Sequence, residues 1–234
     1  MKKLISLALL LLSAISLQAQ QYKPMNQPYV DQRWYNFGFL VGMHTQDLSF
    51  THAPAINGDA DAIYVEQPGF SPGFSVGLLT NLRMSDHFSF RISPTIHFGS
   101  KNVEFIDRLT SVVVETQDIR STYLMVPFNV KYAGRRLNNM RPYLVTGLSL
   151  GFDLTRKKDQ ELLLKPMNTF LEFGAGFEFY FQYFKLIPEF KFCLGLSNVL
   201  EKNRPDLTNS DYERYTRGLD KIEARMLVFT LYFE

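Results

Sequence analysis

The side chains able to do chemistry are few, and their spacing suits scaffolding better than catalysis. In the run "HFS", His87 and Ser89 stand two residues apart, which in an extended segment puts both on one face. A histidine next to a serine supplies the base and nucleophile of an acyl transfer, but that chemistry also needs an orienting acid and an oxyanion site. His44 and His97 are a second pair. Zinc and related metals want three or four histidine, thiolate or carboxylate ligands at set spacing, and no such partner is spaced for these two. Core hydrogen bonding is the expected role of His44 and His97. The third group is ionic. Arg83, Arg91, Lys131, Glu172, Glu178, Glu189 and Lys191, with Arg141 and Asp153, recur at one parity of the segments that hold them.

That parity comes from a period-two pattern, the signature of strands. Eight segments separate into an apolar stripe and a mixed one. Their apolar stripes run Tyr35 to Met43, Phe74 to Leu82, Phe88 to Phe98, Thr122 to Tyr132, Pro142 to Phe152, Leu171 to Tyr183, Leu186 to Leu196 and Leu227 to Phe233. None of these stripes carries a charge. The alternate positions are polar, charged or tiny: Asn36, Gly38, Gly42 and His44 in the first segment, and Glu172, Gly174, Gly176 and Glu178 in the sixth. Met226, Val228, Met125 and Pro127 are apolar exceptions on the mixed face. Pro127 and Pro188 lie inside strands, where the missing N–H predicts a bulge or kink.

Volume decides which face points inward. An eight-stranded barrel encloses a space just wide enough to be filled by side chains. Eight stripes of Phe and Leu would overfill it; the glycine-rich mixed set fits. The apolar stripes then face hydrocarbon, where an Arg or Lys at the bilayer midplane costs ~2–4 kcal/mol. The mixed-sign charges become a lumen network, paired or wet because an isolated buried charge is prohibitive. They plug the barrel and leave no open solute path.

The connections agree. "RMSDH", "AGRRLNNMR" and "YFK" are short links, whereas Gln46 to Pro72, Gly99 to Ile119, Thr155 to Met167 and Asn198 to Lys221 are long. Short turns alternating with long outer loops mark a bacterial outer-membrane barrel with both termini in the periplasm. The expected fold is all-β: an eight-stranded antiparallel transmembrane up-and-down β-barrel. "VVVET" in the second long connection lets the third and fourth strands continue as a hairpin above the membrane. Tyr35, Tyr132, Tyr143 and Tyr183, near strand ends, are expected at the headgroup level.

The start of the chain fits export. Lys2 and Lys3 precede an apolar run from Leu4 to about Ile15, ending in small residues at Ala19; this is the layout of a secretory signal peptide. The expected organisation is a signal peptide over 1–19, a short periplasmic segment over 20–33 and the barrel over 34–234. A single Cys193 excludes an internal disulfide. Net charge is only +2, with no basic stripe interleaved with stacking aromatics, which argues against nucleic acid.

In this setting His87 and Ser89 face inward beside a short turn, the wrong end for outer-leaflet chemistry of the lipid A deacylase kind. No catalytic residues, cofactor or metal are expected. The outer loops hold "RKKD" (Arg156 to Asp159), suited to lipopolysaccharide phosphates, and the Tyr- and Arg-rich stretch Glu201 to Leu219, suited to docking a partner.

Some motifs are more specific than their periods. "YLMVPFNVKY" (Tyr123 to Tyr132) and "RPYLVTGLSLGFDL" (Arg141 to Leu154) resemble the outer-membrane barrel family that includes the PorT proteins of Bacteroidota. "PGFSVGLLTNLRM", "LKPMNTFLEFGAGFEFYFQYFKLIPEFKFCLGLSNVL" and "NRPDLTNSDYERYT" are similar to the PorT members in particular. The resemblance covers nearly the whole mature chain. It implies a component of the type IX secretion system, needed to export proteins with a C-terminal sorting domain, and it implies no catalytic residues. Such a barrel is too narrow for folded cargo and would be an accessory or assembly subunit. Other secretion subunits are the expected partners, besides outer-membrane lipid and lipopolysaccharide. The basic turn with Arg135, Arg136 and Arg141 is the expected contact. The rival readings are a surface adhesin or ligand-binding barrel and a lipid A-modifying enzyme.

Overall fold

Alternation drives the architecture of the computed structural model, which describes residues 24–52, 63–66, 71–107, 113–155, 165–200 and 219–234. The signal-peptide reading over 1–19 and the loop motifs Arg156 to Asp159 and Glu201 to Leu219 lie outside, or all but outside, those residues. After a 3-10 turn at Val30–Gln32 come ten strands: β1 (Tyr35–His52), β2 (Ile63–Glu66), β3 (Pro72–Arg83), β4 (Phe88–Ile92), β5 (Thr95–Asp107), β6 (Val113–Ala133), β7 (Met140–Asp153), β8 (Met167–Tyr180), β9 (Lys185–Gly195) and β10 (Leu219–Phe233).

The sheet closes on itself. Its order is β1-β10-β9-β8-β7-β6-β4-β3, with β3 pairing back to β1, and every pairing is antiparallel. β4 and β5 share one register against β3 and one against β6, so they are a single strand interrupted at Ser93 and Pro94. The ring therefore has eight strands, and β2 is an addition on the far part of β5. Closure leaves no edge in the ring, which is what a sheet immersed in lipid requires.

The prolines act by breaking ladders, not by bulging. Pro127 sits on β6 level with the Ser93–Pro94 break, and the β6–β7 register runs through it unshifted. Beside Pro188 the β8–β9 pairing lapses between Gly176↔Glu189 and Phe179↔Leu186 without a change of register.

The apolar stripes face outward. Phe37 is 65% exposed, Leu78 64%, Leu144 61% and Phe190 58%, forming a belt of Phe, Leu and Val that only a hydrocarbon surround would solvate. The mixed stripes face in: Asn129, Arg91 and Ser149 are fully buried. Gly38 and Gly42 also let β10 come close, because a Cβ at either would strike the β10 backbone at Phe233 or Phe229.

Several strands outrun the membrane. A transmembrane strand needs ~9–11 residues, whereas β1 has 18 and β6 has 21. Gln46 to His52, expected as loop, is strand and pairs with the start of β10. Gly99 to Asp107 pairs with β6, the hairpin continuation that "VVVET" allowed. At the other end, the sixth predicted segment stops at Tyr180, and Phe181 to Phe184 make the turn, closed by the Phe181 N–H donating to the Phe184 carbonyl. Of the tyrosines expected at headgroup level, Tyr35, Tyr132 and Tyr183 are exposed, but Tyr143 is 3% exposed and points inward. Its parity explains the correction: it stands between the outward Pro142 and Leu144. Trp34, 69% exposed beside Tyr35, joins the aromatic ring instead.

Candidate functional site

The lumen has three layers, set by what each strand contributes at its inward positions. The central layer is ionic. Arg91 from β4 donates to Glu189 of β9 at 2.5 Å, with side-chain exposures of 1% and 0%. Glu189 also accepts from the Tyr143 hydroxyl at 2.6 Å and the Tyr232 hydroxyl at 2.8 Å. Lys191 lies 3.2 Å from Glu172 and 3.8 Å from Glu189. Asn129 donates its amide to Glu172 at 2.9 Å, and Lys131 reaches Glu178 at 2.5 Å. The Arg91 guanidinium also lies 4.8 Å from the ring centre of Tyr232 and 5.2 Å from that of Tyr143.

Six of the nine inward charges thus meet: Arg91, Lys131, Glu172, Glu178, Glu189 and Lys191; Arg141 and Asp153, at opposite ends of β7, bond to neighbouring turn residues instead. Arg83 does not join them either. It sits at the mouth formed by the short turns, paired with Asp86 and donating to the Gln32 carbonyl at 3.3 Å. The reason is position, since Arg83 is the last residue of β3 and its side chain reaches the rim. Tyr143 and Tyr232 complete the network although neither carries a charge that marks it in the sequence; their inward parity is legible, since each lies between two outward apolar residues.

The layer toward the long connections is apolar. Tyr123, Met125, Phe170, Cys193, Ile222, Ala224, Met226 and Val228 pack with Leu48, Val65 and Val103 into one cluster. The exceptions Met125, Met226 and Val228 belong to this plug. Next to it, the Ser75 hydroxyl lies 2.8 Å from Nδ1 of both His44 and His97. A hydroxyl can donate to one imidazole and accept from the other, so this group is a hydrogen-bonded core, with Gln46 Nε2 3.0 Å from His44 Nε2. Among the described residues no group of three or more His, Cys, Asp and Glu could hold a metal.

The third layer is the turn-end mouth, where the segment before β1 crosses the barrel. Tyr180 donates to Asp31 at 2.8 Å, and Asn26 donates its backbone N–H to Asn139 at 2.8 Å and its amide to the Tyr180 carbonyl at 3.0 Å. Arg136 lies over the Tyr180 ring, 3.6 Å from its centre, donates to the Gln27 and Asn26 carbonyls and sits 3.5 Å from Asp31. Arg141 donates to the carbonyls of Gly134 at 2.9 Å and Asp86 at 2.5 Å. Within the basic turn, Arg136 is therefore spent on the segment before β1 and Arg141 on the carbonyls of two turns, and Arg135 is exposed. His87 donates Nδ1 to the Ala133 carbonyl at 3.0 Å and makes no bond to Ser89, so the pair is not arranged as base and nucleophile.

The lumen is filled. Between the ionic and apolar layers lies a cavity of about 10 Å³, lined by Thr95, His97, Met125, Glu172, Lys191 and others, about the size that holds one water.

A family model described as "Outer membrane protein beta-barrel domain" matches residues 18–201 of the chain. Among solved structures, the chain is similar to Neisserial surface protein A, with TM-score 0.47, 10% identity, and 86% of this chain and 98% of that one covered. It is also similar to the outer membrane protein OprG from Pseudomonas aeruginosa, with TM-score 0.46, 13% identity and coverage of 84% and 93%. A third is Ail, the attachment invasion locus protein of Yersinia pestis, in complex with the heparin analogue sucrose octasulfate, with TM-score 0.36, 12% identity and coverage of 84% and 96%. No curated protein sequence matches the chain.

Proposed function

The chain belongs to the outer membrane protein beta-barrel family, and from that premise we propose that it is a non-enzymatic accessory or assembly subunit of type IX protein secretion. It sits in the outer membrane with both termini and the short turns in the periplasm. Its partners are other secretion subunits, lipopolysaccharide and outer-membrane lipid.

The observation that carries this reading is the filled lumen. Arg91, Glu189, Lys191 and Glu172 occupy its centre and an apolar cluster its far end, so the barrel has no room to conduct cargo. A rigid plugged barrel offers surfaces instead: long strands on one side and the strapped mouth on the other. The stretch from Leu164 to Leu200, similar to PorT proteins, supplies the secretion context, and the motifs between Tyr123 and Leu154 the wider barrel family. Arg135 is the basic-turn side chain left for a partner, with Arg136 and Arg141 holding the turn in shape.

The test compares secreted and surface proteins in a deletion strain and in that strain complemented with this gene. Loss of sorting-domain cargo outside the cell, with periplasmic accumulation reversed by the gene, is the expected result. Unchanged cargo overturns it.

One observation favours a second reading, a surface adhesin or ligand-binding barrel. The β1–β10 and β5–β6 pairs project as strand ladders beyond the length a bilayer needs, a platform of the kind on which ligand-binding loops are carried. Binding of whole cells to host or glycan surfaces that is lost on deletion, with secretion intact, selects that reading.

A further inference from the structure

The turn-end mouth carries polar chemistry that the lumen network leaves unused. Its lowest inward rung is set by register: Asn36 of β1 opposite Asn81 of β3, Arg83 opposite Ser89 of β4, and Ser89 opposite Lys131 of β6. These side chains, with Arg33 and Arg141, line a cleft of about 30 Å³ that opens beneath the barrel.

Two of them are incomplete. Asn81 and Ser89 are each 6% exposed, and neither Asn81 Oδ1 nor Ser89 Oγ has a hydrogen-bond partner among the described residues. Leaving a buried polar atom unmet is costly enough that native structures seldom do so without a water, ion or ligand. Above them the rim is cationic. Arg33 is exposed and has no ion pair among the described residues. Arg83 has one ion pair among the described residues, to Asp86, whose side chain is 82% exposed, besides its bond to the Gln32 carbonyl, and exposed pairs exchange readily. The inner acids are committed: Glu178 to Lys131 and Tyr180, and Asp31 to Tyr180 and Arg136.

A carboxylate suits this set. It accepts two parallel bonds from a guanidinium fork, and the Ser89 hydroxyl beneath it donates to what remains; the unmet Asn81 Oδ1 is an acceptor and plays no part in holding it. Asp31 and Asp86 flank the cleft and repel a doubly charged phosphate more than a singly charged carboxylate. We propose that the mouth is a docking site for one carboxylate side chain on an acidic segment of a partner protein, held by Arg33 and Arg83 with the Ser89 hydroxyl beneath. It rests on the secretion reading only in facing the mouth to the periplasm.

The test uses the whole mature chain folded in lipid nanodiscs and a capped peptide of alternating glycine and glutamate, with the glutamine version and inorganic phosphate as comparators. Backbone amide shifts report where each binds. The glutamate peptide is expected to bind saturably at the mouth and the glutamine peptide not at all. Arg33→Gln removes a charge-assisted contact and weakens binding by at least about tenfold; having no ion pair to lose, this variant folds as the parent does. Ser89→Ala weakens it less, and Arg225→Gln, at the opposite end, leaves it unchanged. Equal binding of the glutamine peptide, binding of phosphate alone, an equal loss in Arg225→Gln, or no binding overturns the proposal. Because the assay uses isolated protein, its outcome is independent of the deletion-strain result.

Discussion

Arg91 and Glu189 meet across the lumen from strands separated in the ring by β6, β7 and β8. The pair therefore ties opposite walls together, which no ladder between neighbouring strands can do. Two shielded ions repay their desolvation only when the remaining polar atoms are met; the hydroxyls of Tyr143 and Tyr232 meet Glu189, while Arg91 Nε and Nη2 have no acceptor among the described residues and the guanidinium lies near the two tyrosine rings.

Removing one partner strands the other. Glu189→Leu leaves Arg91 unpaired and is expected to destabilise the folded barrel by about 3–5 kcal/mol. Arg91→Leu with Glu189→Leu is expected to recover most of that loss, because no buried charge remains. Urea unfolding in detergent, followed through Trp34 fluorescence, measures both; a double variant no better than the single one sinks the account.

The segment before β1 depends on one arginine. Arg136→Ala deletes the stacking on Tyr180 and the contacts to the Asn26 and Gln27 carbonyls, and it leaves Asp31 with Tyr180 and a long 3.9 Å approach from Arg141. Local opening of such a segment exposes it to protease without global unfolding. Trypsin is expected to cut after Arg33 several-fold faster in the variant, with the barrel fragment otherwise intact. Unchanged cleavage would show that the segment is held by other means.

Much of this was legible because parity in a strand is a hard constraint. The outward stripes, the inward positions of Arg91, Glu172, Glu178, Glu189 and Lys191, and ring closure all follow from a period of two and the volume of a small barrel. Pairing was not legible: Lys131 meets Glu178 across β7, and that depends on strand tilt and stagger, which sequence spacing does not encode. The strap was not legible either, since Asn26, Gln27 and Asp31 lie in an aperiodic stretch. The extended strands were masked for another reason. Above the membrane both faces meet water or protein, so the contrast between stripes that marks a spanning strand fades at Gln46 to His52.

The outward belt has a direct test. Leu78 lies in the middle of β3, 64% exposed and opposite Phe39. Leu78→Arg is expected to cost about 2–4 kcal/mol in the bilayer. Leu78→Ala, which places no charge in hydrocarbon, is expected to cost much less. Refolding into vesicles under a urea gradient reads the difference, and equal costs would mean that Leu78 does not face acyl chains.

Gly176 makes the network possible by what it lacks. A Cβ there would come within 2.6 Å of the Tyr143 ring at Cζ and of the Pro188 carbonyl, closer than real Cβ contacts. Tyr143 needs that space to reach Glu189 at 2.6 Å. Gly176→Ala must therefore push Tyr143 aside or strain β8 against β9, an overpacking cost of about 1–3 kcal/mol, and it also weakens one of the bonds that keep Glu189 paired. The two effects separate in a cycle. In a Tyr143→Leu background the ring is gone, so Gly176→Ala should cost clearly less than in the parent, with only the contact to the Pro188 carbonyl remaining. Equal costs in the two backgrounds would place the strain in the β8–β9 backbone and leave Tyr143 out of it.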